Sequence, residues 1–187
     1  MNSLVVKRAT HVPTKDRKAS LAIWLTLARP ERDLFAEIIR ILAAELGAPR
    51  FEPHLSICVT RDTKAMRGIV KQVFTAPMRL RIKDVSFSTA FTKTLFVRFE
   101  RSAALDELNA TLRRATKVRQ ETLRDPHVSL LYKRLRMSSK KELASAIQLP
   151  FTEVVFDSIK AVRCYSPMET AADVDSWRKV ATKKLRG

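Results

Sequence analysis

The sequence has 187 residues, 45% of them hydrophobic, with only 3 Gly and 8 Pro. That excludes a disordered or low-complexity chain and fits one domain, or two small lobes sharing a core. The formal net charge is +17, from 36 Lys+Arg against 19 Asp+Glu; such a field concentrates polyanions, so nucleotides and nucleic acids are natural partners and small neutral substrates are not. Cys58 and Cys164 are too few for a disulfide scaffold or a zinc site. Residues 1–19 lack the apolar run of a secretory signal, and the run Ala19–Ala28 falls far short of the ~20 residues that span a bilayer. The expectation is a cytoplasmic monomer with no membrane partner. Residues 1–19 form a basic, flexible arm that carries a solvated His11, and residues 20–187 form the folded domain.

Ser20–Ala28 has strand character. Pro30 and Glu31 open a helix with Leu34, Phe35, Ile38, Ile41, Leu42 and Leu46 on one face, and Gly47 and Pro49 close it. Pro53–Thr60 is a second strand, Asp62–Phe74 is helical, and Met78–Ser88 is extended. The order then repeats. Lys93–Arg101 is a strand, and Ser102 caps a helix carrying Leu105, Leu108, Leu112 and Ala115. Pro126–Tyr132 is a strand, Ser138–Gln148 a helix, Phe151–Tyr165 extended, and Trp177–Leu185 an edge strand. The fold class is therefore α+β. Two pseudo-symmetric α/β lobes, roughly 20–90 and 91–187 with a possible exchange of terminal strands, place antiparallel sheets around a central cleft.

The repeat carries a motif. His54-Leu55-Ser56-Ile57 and His127-Val128-Ser129-Leu130 lie 73 residues apart, each preceded by Pro. Residues two apart on a strand share a face. So His54 and Ser56 point one way, with Leu55 and Ile57 the other, and the second copy matches. The apolar pairs anchor the strands on helices, and the polar pairs look into the cleft. Two histidines with ordinary pKa near ~6.5 can divide base and acid work near neutral pH. The two serine hydroxyls can donate to phosphate oxygens. The combination suits hydrolysis of a phosphodiester by positioning and electrostatics, and it requires no metal.

These residues resemble the signature of the two-histidine (2H) phosphoesterases, two His-hydrophobic-Ser/Thr-hydrophobic tetrapeptides in two lobes. Gly47–Thr60 (GAPRFEPHLSICVT), Pro126–Tyr132 (PHVSLLY) and the late Trp177 resemble the cyclic phosphodiesterase branch, over about residues 20–185. The resemblance implies that His54 and His127 are the acid–base pair, that Ser56 and Ser129 hold the phosphate, and that no cofactor is needed. It also implies that Trp24 and Tyr132 sit near the nucleotide. Trp24 has cleft parity with Ala22 and Thr26. Ideal alternation puts Tyr132 on the face opposite His127, so a bulge or the strand end must redirect it. Phe96 and Arg98 have cleft parity in the second unit, and Arg98 could pair with a phosphate.

Three functions follow. The first is hydrolysis of a cyclic phosphodiester, a 2′,3′-cyclic nucleotide or ADP-ribose 1″,2″-cyclic phosphate, to a monoester. The second is the same chemistry on RNA, as end trimming, 2′–5′ hydrolysis or the reverse ligation; the heavy basic excess favours it. The third is a non-catalytic RNA-binding module, which leaves the two matched strands without a purpose.

Overall fold

The computed structural model describes residues 18–61, 66–116, 123 and 125–186. Of the arm expected over residues 1–19, residues 1–17 with His11 lie outside the described residues, while Lys18 and Ala19 already belong to the first strand. In chain order the elements are β1 (Lys18–Leu27), α1 (Glu31–Leu46), β2 (His54–Thr60), α2 (Met66–Gln72), β3 (Met78–Phe87), β4 (Leu95–Phe99), α3 (Ala103–Thr116), β5 (His127–Leu131), α4 (Met137–Ala146), β6 (Glu153–Ser166), α5 (Ala171–Asp175) and β7 (Arg178–Lys184). A single 3₁₀ turn, Phe91–Lys93, leads into β4.

Local chemistry explains most of these boundaries. α1 stops at Gly47, whose φ of 59° is left-handed and suits a residue without Cβ. The Ala48 N–H closes that end on the Ala43 carbonyl at 3.0 Å. The Lys133 ammonium, just beyond β5, donates to the carbonyls of Leu46 and Gly47, a cation at the negative end of the helix. α3 starts where Ser102 Oγ accepts the Leu105 N–H at 3.2 Å. The short α5 was not expected from periodicity; Thr170 and Asp173 form a reciprocal capping box around it.

The seven strands form one antiparallel sheet in the order β1-β2-β5-β4-β3-β6-β7, and β6 also pairs with β1. The long β6 meets β3 through Glu153–Phe156 and β1 through Phe156–Ser166. Two arms result, β2-β1-β6-β7 and β5-β4-β3-β6. They meet where Leu55 of β2 pairs with Val128 of β5. Strands cross between the halves of the chain: β3 pairs with β4, and β6 with β1. The second arm runs continuously from β3 to the start of β6, whereas the first joins β1 and β2 from one end of the chain to β6 and β7 from the other.

The helices cover one face of the sheet. Leu21, Ile23, Leu25, Leu27, Leu55, Leu95, Val97 and Val128 point into that core and are at most 1% exposed. α1 packs on β1 and β5, and α3 on β2, so each long helix is seated near the junction of the arms. Burying a side chain of this size contributes about 1.5–3 kcal/mol, which holds the strand faces in a fixed orientation. The opposite face carries His54, Ser56, Ser129 and the aromatic side chains described next.

Candidate active site

Both His-x-Ser strands break in the same place. Trp24 of β1 pairs with Ser56, but its neighbour Ile23 pairs with Cys58, so Ile57 is an extra residue in β2. Phe96 of β4 pairs with Ser129, but Leu95 pairs with Leu131, so Leu130 is extra in β5. A bulge turns two consecutive side chains to one face. Ile57 and Cys58 both join the core, as do Leu130 and Leu131. The carbonyl of Ile57, out of step with the ladder, accepts a hydrogen bond from Asn109 Nδ2 of α3 at 3.0 Å. Beyond each bulge the alternation is reversed. Val59 and Tyr132, five residues after their histidines, therefore face the cleft and line its cavity. This is the redirection that Tyr132 required.

The cavity holds about 250 Å³. His54, Ser56, His127 and Ser129 all line it, with Trp24 and Tyr132. Six of the seven site residues expected from sequence are thus brought together. Arg98 is not. It is paired with His127 across β4 and β5, but its guanidinium grips the Asp84 carboxylate, with Nε at 2.7 Å from Oδ1 and Nη2 on Oδ2. A partner one strand away satisfies it, and it does not reach the cavity.

The two imidazoles are held alike. His54 Nδ1 lies 2.7 Å from the carbonyl oxygen of Glu52, and His127 Nδ1 lies 2.8 Å from that of Asp125. A carbonyl only accepts, so Nδ1 carries the hydrogen in each ring and the neutral form leaves Nε2 bare. The residue that supplies each carbonyl is an acid, and a lysine holds its carboxylate: Lys160 on Glu52, and Lys93 on Asp125. Sequence reasoning missed these four residues. The signal was present in the shared acid-Pro-His-x-Ser pattern of Glu52–Ser56 and Asp125–Ser129, but the lysines come from elsewhere in the chain.

The surroundings of the rings differ. Trp24 stacks on His54 with centroids 3.7 Å apart and planes within 17°. Trp177, which precedes β7, meets both rings edge-on, at 4.9 Å from Trp24 and 5.5 Å from His54. Its indole N–H donates to Met168 Sδ at 3.1 Å. Phe51 stacks on Tyr132 at 4.1 Å and closes the same cluster. Among the described residues His127 meets one aromatic ring, the edge of Phe96 at 5.3 Å. Burial pushes His54 down to about 4; its bond to Glu52 opposes the shift, and His127 and Lys160 add to it. Burial lowers His127 as well, and Lys93 adds to that, while the bond to Asp125 and the carboxylate itself work against it.

The serines also differ. Ser129 is buried and donates to the Thr92 carbonyl at 2.9 Å; Ser56 is half-buried. Burial pushes the Tyr132 phenol up, with the Ser129 hydroxyl working against it, so Tyr132 is a neutral hydrogen-bonding group. Among the described residues no three His, Cys, Asp or Glu side chains are grouped to hold a metal ion. Among them, too, no helix is long and apolar enough to cross a membrane.

No protein-family model matches the chain, and no curated protein matches it. Solved structures do. The apo form of E. coli LigT aligns with a TM-score of 0.56 and 13% identity over 92% of this chain and 100% of that one. Its complex with 3′-AMP gives 0.54 and 12% over 90% and 99%. A structure described as a phosphoesterase gives 0.54 and 13% over 91% and 99%. The chain has the α+β fold of these phosphoesterases, which is the fold that the two-histidine resemblance implies.

Proposed function

We propose that the protein is a two-histidine phosphoesterase that hydrolyses a cyclic phosphodiester, a 2′,3′-cyclic nucleotide or ADP-ribose 1″,2″-cyclic phosphate, to a monoester without a metal. The observation that carries this reading is the pair of imidazoles in one cavity, each with Nδ1–H on a backbone carbonyl. Two bare Nε2 atoms are the parts that acid–base hydrolysis needs. One neutral imidazole takes a proton from water as its oxygen attacks phosphorus. The other, protonated, gives its proton to the ribose oxygen as the P–O bond breaks. The proton balance is closed, and exchange with solvent resets the pair.

Ser56 and Ser129 are the donors for the non-bridging phosphate oxygens; Ser129 does this by turning its hydroxyl from Thr92. The aromatic walls, Trp24 and Tyr132, fit a nucleoside. Nucleotide ligands are on record for E. coli LigT, which was solved with 3′-AMP and with NADP+; that supports a nucleotide as the substrate class here.

The test is a panel of cyclic phosphates turned over in EDTA, with His54→Ala and His127→Ala alongside. Turnover by the wild type in EDTA, lost in both variants, is the expected result. Full activity in both variants would sink the reading. A second reading, the same chemistry on an RNA end, is favoured by the net charge of +17. It predicts faster turnover of a cyclic-phosphate-ended oligomer than of the mononucleotide, with a steep loss as salt rises.

A further inference from the structure

We propose that the pairs Glu52–Lys160 and Asp125–Lys93 are positioning devices that hold each histidine as its Nδ1–H tautomer and keep Nε2 aimed at the cleft. The proposal rests on the acid–base reading of His54 and His127. Each acid does two jobs. Its carbonyl accepts the imidazole N–H. Its carboxylate is tied to a lysine that another element supplies. The acid is thereby pinned at its side chain as well as at its carbonyl, and the following Pro restricts it further.

The origin of the lysines argues against a simple by-product of the repeat. β1-α1-β2 corresponds to β4-α3-β5, so true symmetry would take both lysines from corresponding positions. Instead Lys160 comes from the middle of β6, opposite Trp24 of β1, and Lys93 from the 3₁₀ turn before β4. The two halves reach one arrangement by different routes. Lys160 is only 14% exposed in its side chain and Lys93 25%. Two ammonium groups this enclosed beside the rings are more than solvated surface charge. The carboxylates also keep the lysines from acting on the rings as bare cations. The charged groups around the pair are otherwise few: His54 faces Glu52, Lys160 and His127, and His127 faces Asp125 and Lys93. Arg98 lies beyond Asp125 and is committed to Asp84.

The experiment is long-range ¹H–¹⁵N NMR of the ¹⁵N-labelled full chain near pH 7.5, which reads the tautomer of each ring directly. The chain has 3 histidines, and His54→Gln and His127→Gln assign them. In the wild type His54 and His127 are held almost wholly as Nδ1–H. Lys160→Met shifts His54 toward Nε2–H and leaves His127 as it was; Lys93→Met does the reverse. Lys160→Arg and Lys93→Arg restore the wild-type pattern. In cyclic-phosphate hydrolysis each Met variant loses up to about 100-fold in kcat, the cost of a misaligned catalytic group, with KM little changed. Should a Met variant fail to fold, Glu52→Gln and Asp125→Asn break the same links at near-constant shape and carry the same expectation.

Unchanged tautomers in both broken pairs overturn the proposal. So does a Lys160→Met effect spread equally over both rings, which marks general loosening. A locked Nδ1–H pair in a wild type that hydrolyses no phosphodiester removes the proposed function and leaves the positioning role. Turnover with tautomers indifferent to the lysines removes the positioning role alone.

Discussion

The two halves of the cleft share a backbone and differ in what surrounds it. Each has a Pro-His-x-Ser strand, a bulge one residue past the serine, and a histidine bound to the carbonyl two residues before it. Around His54 the walls are aromatic: Trp24 on one face, with Trp177 and Phe51 at the edges. Around His127, among the described residues, there is one aromatic edge, that of Phe96, while a lysine–acid pair stands behind each ring. The same frame in two surroundings yields two histidines of unequal proton affinity. That is a common route to one acid and one base from identical side chains. Symmetry supplies the position and asymmetry supplies the division of labour.

The sharpest way to break the comparison is to remove one histidine at a time. Under the proposed function His54→Ala and His127→Ala each cost on the order of 10²–10⁴-fold in kcat/KM, measured on a cyclic phosphate with circular dichroism confirming the fold. Loss in only one variant would mean that the halves do not cooperate across one cleft.

The pH profile sharpens it. His54 titrates near 4 and His127 below its ordinary value. Under the proposed function the ring with the weaker hold on its proton, His54, takes the role of base. Activity rises with pH through about 4 as His54 becomes neutral. It falls again as His127 loses its proton, below the ordinary histidine value of ~6.5. The kcat/KM of the free enzyme therefore forms a bell on the acid side of neutrality. An optimum above pH 7.5 would contradict the unequal environments.

Stability reads the same inequality without substrate. A histidine near ~6.5 in the unfolded chain and about 4 when folded is protonated more readily by the unfolded state in that window. Stability is therefore highest above pH 6.5 and falls as pH drops toward 4. The full shift is worth about 3 kcal/mol. Denaturant melts at pH 7 and pH 4.5 should show most of that loss in the wild type. The loss should be clearly smaller in His54→Gln, and nearer the wild-type value in His127→Gln. Equal slopes in all three proteins would remove His54 as the principal buried titrating ring.

Much of this cleft was legible in the chain. Period-two alternation placed His54 with Ser56 and Leu55 with Ile57, and it placed Trp24 opposite the core residues Leu21, Ile23, Leu25 and Leu27. Alternation fails where a strand carries an extra residue, which is why Tyr132 looked misplaced: nothing in Ser-Leu-Leu-Tyr marks Leu130 as the bulge. The exchange of the terminal strands β3 and β6 between the halves was open as a possibility, but which strands they join was not legible. β3 turns back on the next strand, β4, while β6 reaches the distant β1. Lys160 reaches Glu52 through the β6–β1 pairing and Lys93 reaches Asp125 through the β4–β5 pairing, so local pattern could find the acids but not their partners.

Arg98 and Thr26 close the comparison at its smallest effects. They occupy corresponding positions, Arg98 opposite His127 and Thr26 opposite His54, and neither meets the expectation for a cleft-facing polar residue. Arg98 is spoken for by Asp84, in a pair whose side chains are 30% and 38% exposed. Solvent screening limits such a pair to about 0.2–1 kcal/mol, so Arg98→Ala should lower stability by that much and leave turnover within about twofold. Thr26 is 1% exposed, and its hydroxyl has no hydrogen-bond partner among the described residues. An unsatisfied buried hydroxyl costs about 1–3 kcal/mol. Thr26→Val keeps the shape and removes that cost, so a gain of up to about 1 kcal/mol is expected in denaturant melts. A loss instead would mean that the hydroxyl has work to do beside His54, and the aromatic half of the cleft would then hold a polar contact that its counterpart lacks.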